Sequence, residues 1–328
     1  MRRQRGAGRG GVAALAAVVA AFVARVVAAF GCAAQAFAHS DAVGAAGDSG
    51  AAPGGVEPWL AVLLVACAVV YARGVRRLWR AGGARRGLSR SDVALFAAGF
   101  ACLCAALLPP LDSLAATAFR WHMVQHELLM IVAAPLLVAG RPLAAWAWGL
   151  PRTATAALGD VFRHPAFARP WRVVTAPPGA FVLHAAALWL WHVPTLFDAA
   201  LAGRGVHDWQ HVSFVATALL FWWSVLAAAG RRPGSALASL FATMLSTGAL
   251  GALLTFSATV LYAGYRHGGG PFTPLEDQQL GGLIMWIPGG LVYVGAALWI
   301  AAEALSARSG GDRHPGRVGH GEEVAHRP

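Results

Sequence analysis

Lysine is absent from this 328-residue chain, and charge of any sign is scarce: 12% of residues are charged, 57% are hydrophobic, and mean hydropathy is +0.56. A soluble domain of this length carries about twice that charged fraction, so a water-soluble globule is excluded. The missing lysine also excludes a retinal protein, which needs a Schiff-base lysine in its last span. The four cysteines, at 32, 67, 102 and 104, sit in apolar segments and show neither thiolate-metal spacing nor a disulfide framework. Cys102 and Cys104 point about 200° apart on a helix, and all four read as inert thiols packed as small hydrophobes. No P-loop or GxSxG motif occurs. His126-Glu127 begins like HExxH, but Met130 stands where the second metal-binding histidine belongs, which excludes a zinc protease.

What the chain has in abundance is apolar runs of roughly twenty residues, the length a helix needs to cross a bilayer. The fold class expected is all-α, a polytopic membrane helix bundle. Seven spans are predicted, at about 57–73, 91–110, 122–140, 178–194, 209–229, 236–262 and 281–304. The net charge of +11 resides in arginines clustered between alternate runs, a topology signal and not a phosphate-binding face, so nucleic acid is no expected partner. Arg73 to Arg90, Arg141 to Arg172, Arg231-Arg232 and the C-terminal arginines mark inner loops, whereas outer loops hold only Arg120, Arg204 and Arg266. The expected location is the bacterial inner membrane, with the mature N-terminus outside and the C-terminus cytoplasmic.

Residues 1–38 read as a signal peptide, with a basic start, an apolar stretch and an Ala36-Phe37-Ala38 cleavage site. Arg25 interrupts the stretch, so an uncleaved anchor helix is the alternative. Residues 39–56 are expected to form a flexible exterior segment, 57–305 the membrane domain, and 306–328 a disordered tail. Cleavage after Ala38 makes His39 the N-terminal residue, whose amine and imidazole together chelate Cu(II). Trp59, Trp121, Trp191, Trp209 and Tyr262 suit interfacial anchoring. Gly248, Gly251, Gly281 and Gly282 permit close helix approach.

Histidines gather at the outward ends of these spans. His122 and His126 open the third, His192 closes the fourth, and His207 and His211 open the fifth, with His184 two turns deeper. Residues four apart project to one side of a helix about 6 Å along its axis, so each HxxxH pair can hold one metal ion. Imidazole binds copper and zinc; thioethers such as Met123, Met130 and Met285 suit Cu(I). Glu127, Asp198 and Asp277 offer carboxylates as ligands or as acceptors that orient the rings. A single interfacial histidine is ordinarily just a polar helix end, but two such pairs and His192 on one face point to a metal or haem site. Asp277-Gln278-Gln279 reads as a source of polar partners within the bundle, or as a helix cap.

Five runs, HMVQHELLMIVAAPLLVAGRPL (122–143), LHAAALWLWHVPTLFDAAL (183–201), HDWQHVSF (207–214), LGALLTFS (250–257) and PLEDQQLGGLIMWIPGGLVY (274–293), resemble in order the CtaG family of caa3-type cytochrome c oxidase assembly factors. The resemblance implies a multispan, non-catalytic factor acting at copper insertion, with oxidase subunits or other assembly factors as partners. Carried over by position, its motif residues are His122, His126, His192, His207, His211, Asp198 and Asp277. Phe197 stands where the pattern leads one to expect Tyr. Gln210 stands where Glu is expected, and so removes a carboxylate beside His211.

The reading is transient copper binding and hand-over, with His184 and Met123 assisting and lipid as the surrounding partner. The alternatives are a copper transporter, for which His184 is the deep ligand, a bis-histidine haem protein using His126 and His211, and a metal-free scaffold for oxidase subunits.

Overall fold

The computed structural model describes residues 57–82, 87–267 and 270–311. The expected leader, the exterior segment with His39, Cys32, and the tail beyond 311 lie outside the described residues. Among the described residues every regular element is helical and no strand occurs.

Helix α1 (Pro58–Gly82) and α2 (Arg90–Leu107) are followed by a short α3 (Leu111–Thr117). Helix α4 (Phe119–Glu127) runs without a break through a π-helical turn (Leu128–Ala133) into α5 (Ala134–Ala139). Then come α6 (Pro142–Gly149), α7 (Arg152–Arg163), α8 (Pro165–Val174), α9 (Pro177–Trp191) and α10 (Pro194–Ala202). After these come α11 (Arg204–Ala229), α12 (Pro233–Thr255), a 3-10 turn (Ala263–Tyr265) and α13 (Pro274–Gly311). Proline sets many of these starts. Pro142, Pro165, Pro177, Pro194 and Pro233 each occupy the first turn of their helix, where a missing N–H removes no helical bond. Helix α2 starts on a capping box instead: Asp92 N donates to Ser89 Oγ (3.2 Å) and Ser89 N to Asp92 Oδ2 (2.7 Å).

Among the described residues six helices are long and apolar enough to cross a membrane, seven if α8 and α9, bent by 75° at their junction, count as one broken span. This is a multi-pass membrane protein. The bend falls at Thr175–Ala176, before the Pro177-Pro178 pair, where Ala176 takes the extended conformation that a following proline imposes.

The span Phe119–Ala139 is the axis of the bundle. Of its most apolar 18-residue window 83% is buried, against 22–39% for the other five. Pro135, just past its π turn, cannot donate to the carbonyl one turn back, and its ring crowds that group, which favours a widened turn. Trp222 Nε1 donates to the Met130 carbonyl (2.9 Å) inside this turn. Helices α12 and α13 make the most extensive helix pair, and glycine is the reason. A Cβ on Gly282 would stand 2.7 Å from the Gly251 carbonyl oxygen, and one on Gly251 2.9 Å from that of Gly282.

Three expectations change here. The helix expected to run through Tyr262 ends at Thr255, and residues 256–265 fold back over the bundle end. Tyr262, expected as an interfacial anchor, is buried at 1% exposure and donates to the His192 carbonyl (3.1 Å). The last helix, in turn, continues through 306–311 where a tail was expected.

Candidate metal centre

The centre is built where α4 begins. Ala118 is extended, which stops α3 and lets Phe119 start a new helix. The amide of Phe119 donates to Asp277 Oδ2 (2.7 Å), and the next residue, Arg120, forms a buried ion pair with the same carboxylate. Asp277 thus fixes the helix N-terminus and offsets its positive dipole end. One turn on, Gln125 Nε2 donates to the Ala106 carbonyl (2.7 Å) and to Asp112 Oδ1 (3.0 Å), which sets the rotation of α4 against α2 and α3.

That rotation sends His122 and His126 into the space between α9, α10 and α11. The rings form one continuous group. Centroids lie 4.3 Å apart for His122–His126, 5.3 Å for His122–His207, 4.2 Å for His207–His211, 5.5 Å for His126–His211 and 6.1 Å for His126–His192. Four of the five are buried, and His207 is half-buried. Ligating atoms of His122, His207 and His211 all lie within 4.8 Å of one another. Phe197 and Phe214 wall the group, at 5.0 Å from His122 and 4.7 Å from His126.

The hydrogen bonds decide which nitrogens are free. Tyr265 has a single hydroxyl proton, and its oxygen lies 2.6 Å from the Ala115 carbonyl, which can only accept. The phenol oxygen therefore accepts from His122 Nδ1 (2.9 Å), which holds the ring in the Nδ1–H tautomer with a lone pair on Nε2. Burial first, then the Asp277 carboxylate, pushes the Tyr265 phenol well above the usual tyrosine range, so it keeps that proton. His192 is fixed the same way: Nδ1 donates to the Leu188 carbonyl (2.7 Å) and leaves Nε2 bare. Among the described residues, Nε2 of His122, His192 and His211 and both ring nitrogens of His126 are buried without a hydrogen-bond partner. Each such group costs about 1–3 kcal/mol of lost hydration. So many together in one place make this group the candidate site.

The other expected residues lie apart from this group. His184 bonds to Thr217 Oγ1 (3.1 Å) and stacks on Phe221 at 5.6 Å. Met123, one position on from His122 and so rotated about 100° from it, packs against Gly281 of α13. Glu127 likewise faces Gly289. Asp198 accepts from the amides of Ala263 (3.2 Å) and Gly264 (3.1 Å), which anchors the turn carrying Tyr265. Gln278 ties down the same segment, accepting from Leu261 N (2.7 Å) and donating to the Thr259 carbonyl (3.1 Å), with Gln279 donating to the Ser257 carbonyl (3.2 Å). Both carboxylates are thus committed to positioning the elements around the histidines. Tyr265 itself carries no local sequence signal, since its partners His122 and Ala115 lie 143 and 150 residues away.

A multi-span helical membrane protein with a buried cluster of imidazoles at one end of its bundle is the class that fold and centre define. The chain belongs to the cytochrome c oxidase caa3 assembly factor family (Caa3_CtaG), whose pattern matches residues 69–307. It is also similar to an uncharacterized protein of Mycobacterium bovis and one of Mycobacterium tuberculosis, each 31% identical over 220 residues, 60% of this chain and 32% of theirs. The chain thus spans about a third of the length of these curated relatives. No solved structure matches it.

Proposed function

We propose that this protein serves cytochrome c oxidase assembly by receiving copper on His122, His126, His192, His207 and His211 and handing it to an oxidase subunit, without catalysing a reaction. The arginine distribution favours an outward-facing cluster in the bacterial inner membrane, the side on which a periplasmic donor or an exposed oxidase subunit meets it. The observation that carries the reading is the set of buried, partnerless ring nitrogens. Two of their rings are held by Tyr265 and the Leu188 carbonyl in the tautomer that presents Nε2 as a ligand. Imidazoles without thiolate bind copper exchangeably, as hand-over requires. A transporter needs ligands that continue inward, and His184, the deep candidate, stacks on Phe221 (5.6 Å) instead of joining the other imidazoles.

The test is the metal content and visible spectrum of detergent-purified wild type beside a His122→Ala/His126→Ala/His211→Ala variant. Copper present in the wild type and lost in the variant, with no Soret band, is the expected result. A Soret band would transfer the site to haem. Wild type that stays metal-free on copper loading yet restores oxidase activity in a deletion strain would leave a scaffold in place of a metal carrier.

A further inference from the structure

The five imidazoles are not equivalent, and they divide by depth and by what holds them. His122, His207 and His211 bring ligating atoms within 4.8 Å of one another, and the half-buried His207 gives this group its opening. His126 lies one helical turn beyond His122, about 6 Å further along α4. Its ring centroid is 6.1 Å from that of His192, and both residues are at least nine-tenths buried. Both nitrogens of His126 and Nε2 of His192 lack partners, while His192 Nδ1 is committed to Leu188.

We propose that the cluster comprises two adjoining metal positions: a receiving site of His122, His207 and His211, and a deeper two-coordinate Cu(I) site of His126 and His192. This rests on the reading that the histidines take copper, and it adds where the ion goes. Two imidazoles holding one ion in line between them, at metal–nitrogen distances of about 2 Å, stand with their centroids about 6 Å apart, which matches the His126–His192 pair. Zinc takes four ligands in structural sites and three plus water in catalytic ones, and Cu(II) prefers a tetragonal set. A pair of imidazoles walled by Phe197 and Phe214 offers neither, at 5.8 and 6.2 Å from His192. Cu(I), with its filled d shell, accepts linear two-coordination. His211 adjoins both groups, 4.2 Å from His207 and 5.5 Å from His126, so the ion passes inward by exchange of one imidazole for another. The ion stays Cu(I) throughout, and no electron is transferred.

The two sites are counted by anaerobic titration of the full-length detergent-solubilised protein with Cu(I), in competition with a chromogenic chelator. Wild type should bind two equivalents, and His192→Asn and His207→Ala one each. The ion remaining in His207→Ala should give the X-ray absorption signature of two nitrogen ligands. Zn(II) should load to one equivalent in wild type and in His192→Asn, and not in His207→Ala. A single equivalent of Cu(I) in wild type, abolished alike by either substitution, would overturn the division and leave the copper reading intact. Wild type that binds no Cu(I) would overturn both. His192→Gln, together with the elution profile of each variant, separates a lost ligand from a lost fold: a variant that elutes as wild type and keeps two equivalents also counts against the inner site.

Discussion

A histidine buried in a membrane protein is useful as a ligand only if its free nitrogen is the correct one. In this centre, proton bookkeeping at two backbone carbonyls makes that choice. Tyr265 gives its proton to Ala115, so it can only accept from His122, and the lone pair of that ring is forced onto Nε2. Tyr265→Phe should therefore leave the helices intact and weaken copper binding by about 10–100-fold, the usual effect of losing an orienting partner. Chelator competition together with far-UV circular dichroism checks this, and unchanged affinity would remove Tyr265 from the account. The paired HxxxH spacing was legible because helical periodicity alone puts those rings on one side. Tyr265 was not, because its place depends on Asp198 holding the Ala263 and Gly264 amides from a distant helix. Asp198 and Asp277 were visible as candidates, but their chemistry was open. A carboxylate that accepts backbone amides and one that ligates metal look the same in a sequence.

At the scale of elements, the spans were legible and their ends less so. The run from 236 to 262 holds no charged residue and no proline, and no local residue announces a stop at Thr255. What lets the helix end there is remote: Gln278 and Gln279 take over the polar backbone groups of Ser257, Thr259 and Leu261. Without those partners an unwound segment at this depth would expose unpaired amides. The glycine contacts between α12 and α13 were legible, since small residues on facing helices have few other uses in a membrane. Gly282→Val places branched carbon against the Gly251 carbonyl, 2.7 Å from the ideal Cβ position. It should destabilise the protein by about 1–3 kcal/mol as the helices are forced apart. Thermal unfolding in detergent reads this directly, and a variant as stable as wild type would show that the pair slides freely.

For the whole molecule, the apolar runs and the arginine asymmetry were enough to give a multi-pass bundle, but the order of helices around its axis was not. That order is what brings histidines from α4, the end of α9 and the start of α11 into one group, so ions bound there would together tie three separate elements. Copper should therefore raise the unfolding temperature. At a free concentration one hundred times the dissociation constant the gain is about 2.7 kcal/mol, and it should vanish in the His122→Ala/His126→Ala/His211→Ala variant. A wild type that melts at the same temperature with copper and with a strong chelator would count against any site in the folded state. The π turn at Leu128–Ala133 has a bearing on all of this. A single residue added to a helix rotates everything beyond it by about 100°. The widened turn absorbs such a step, so it works as a phase joint within the axial span. Its upper half takes its angle from Asp277 and Gln125. Its lower half takes its own from the Gly99 and Phe96 surface of α2, against Leu137 and Gly140. Sequence change in the lower half can therefore follow the neighbouring helices while the histidines keep their bearing.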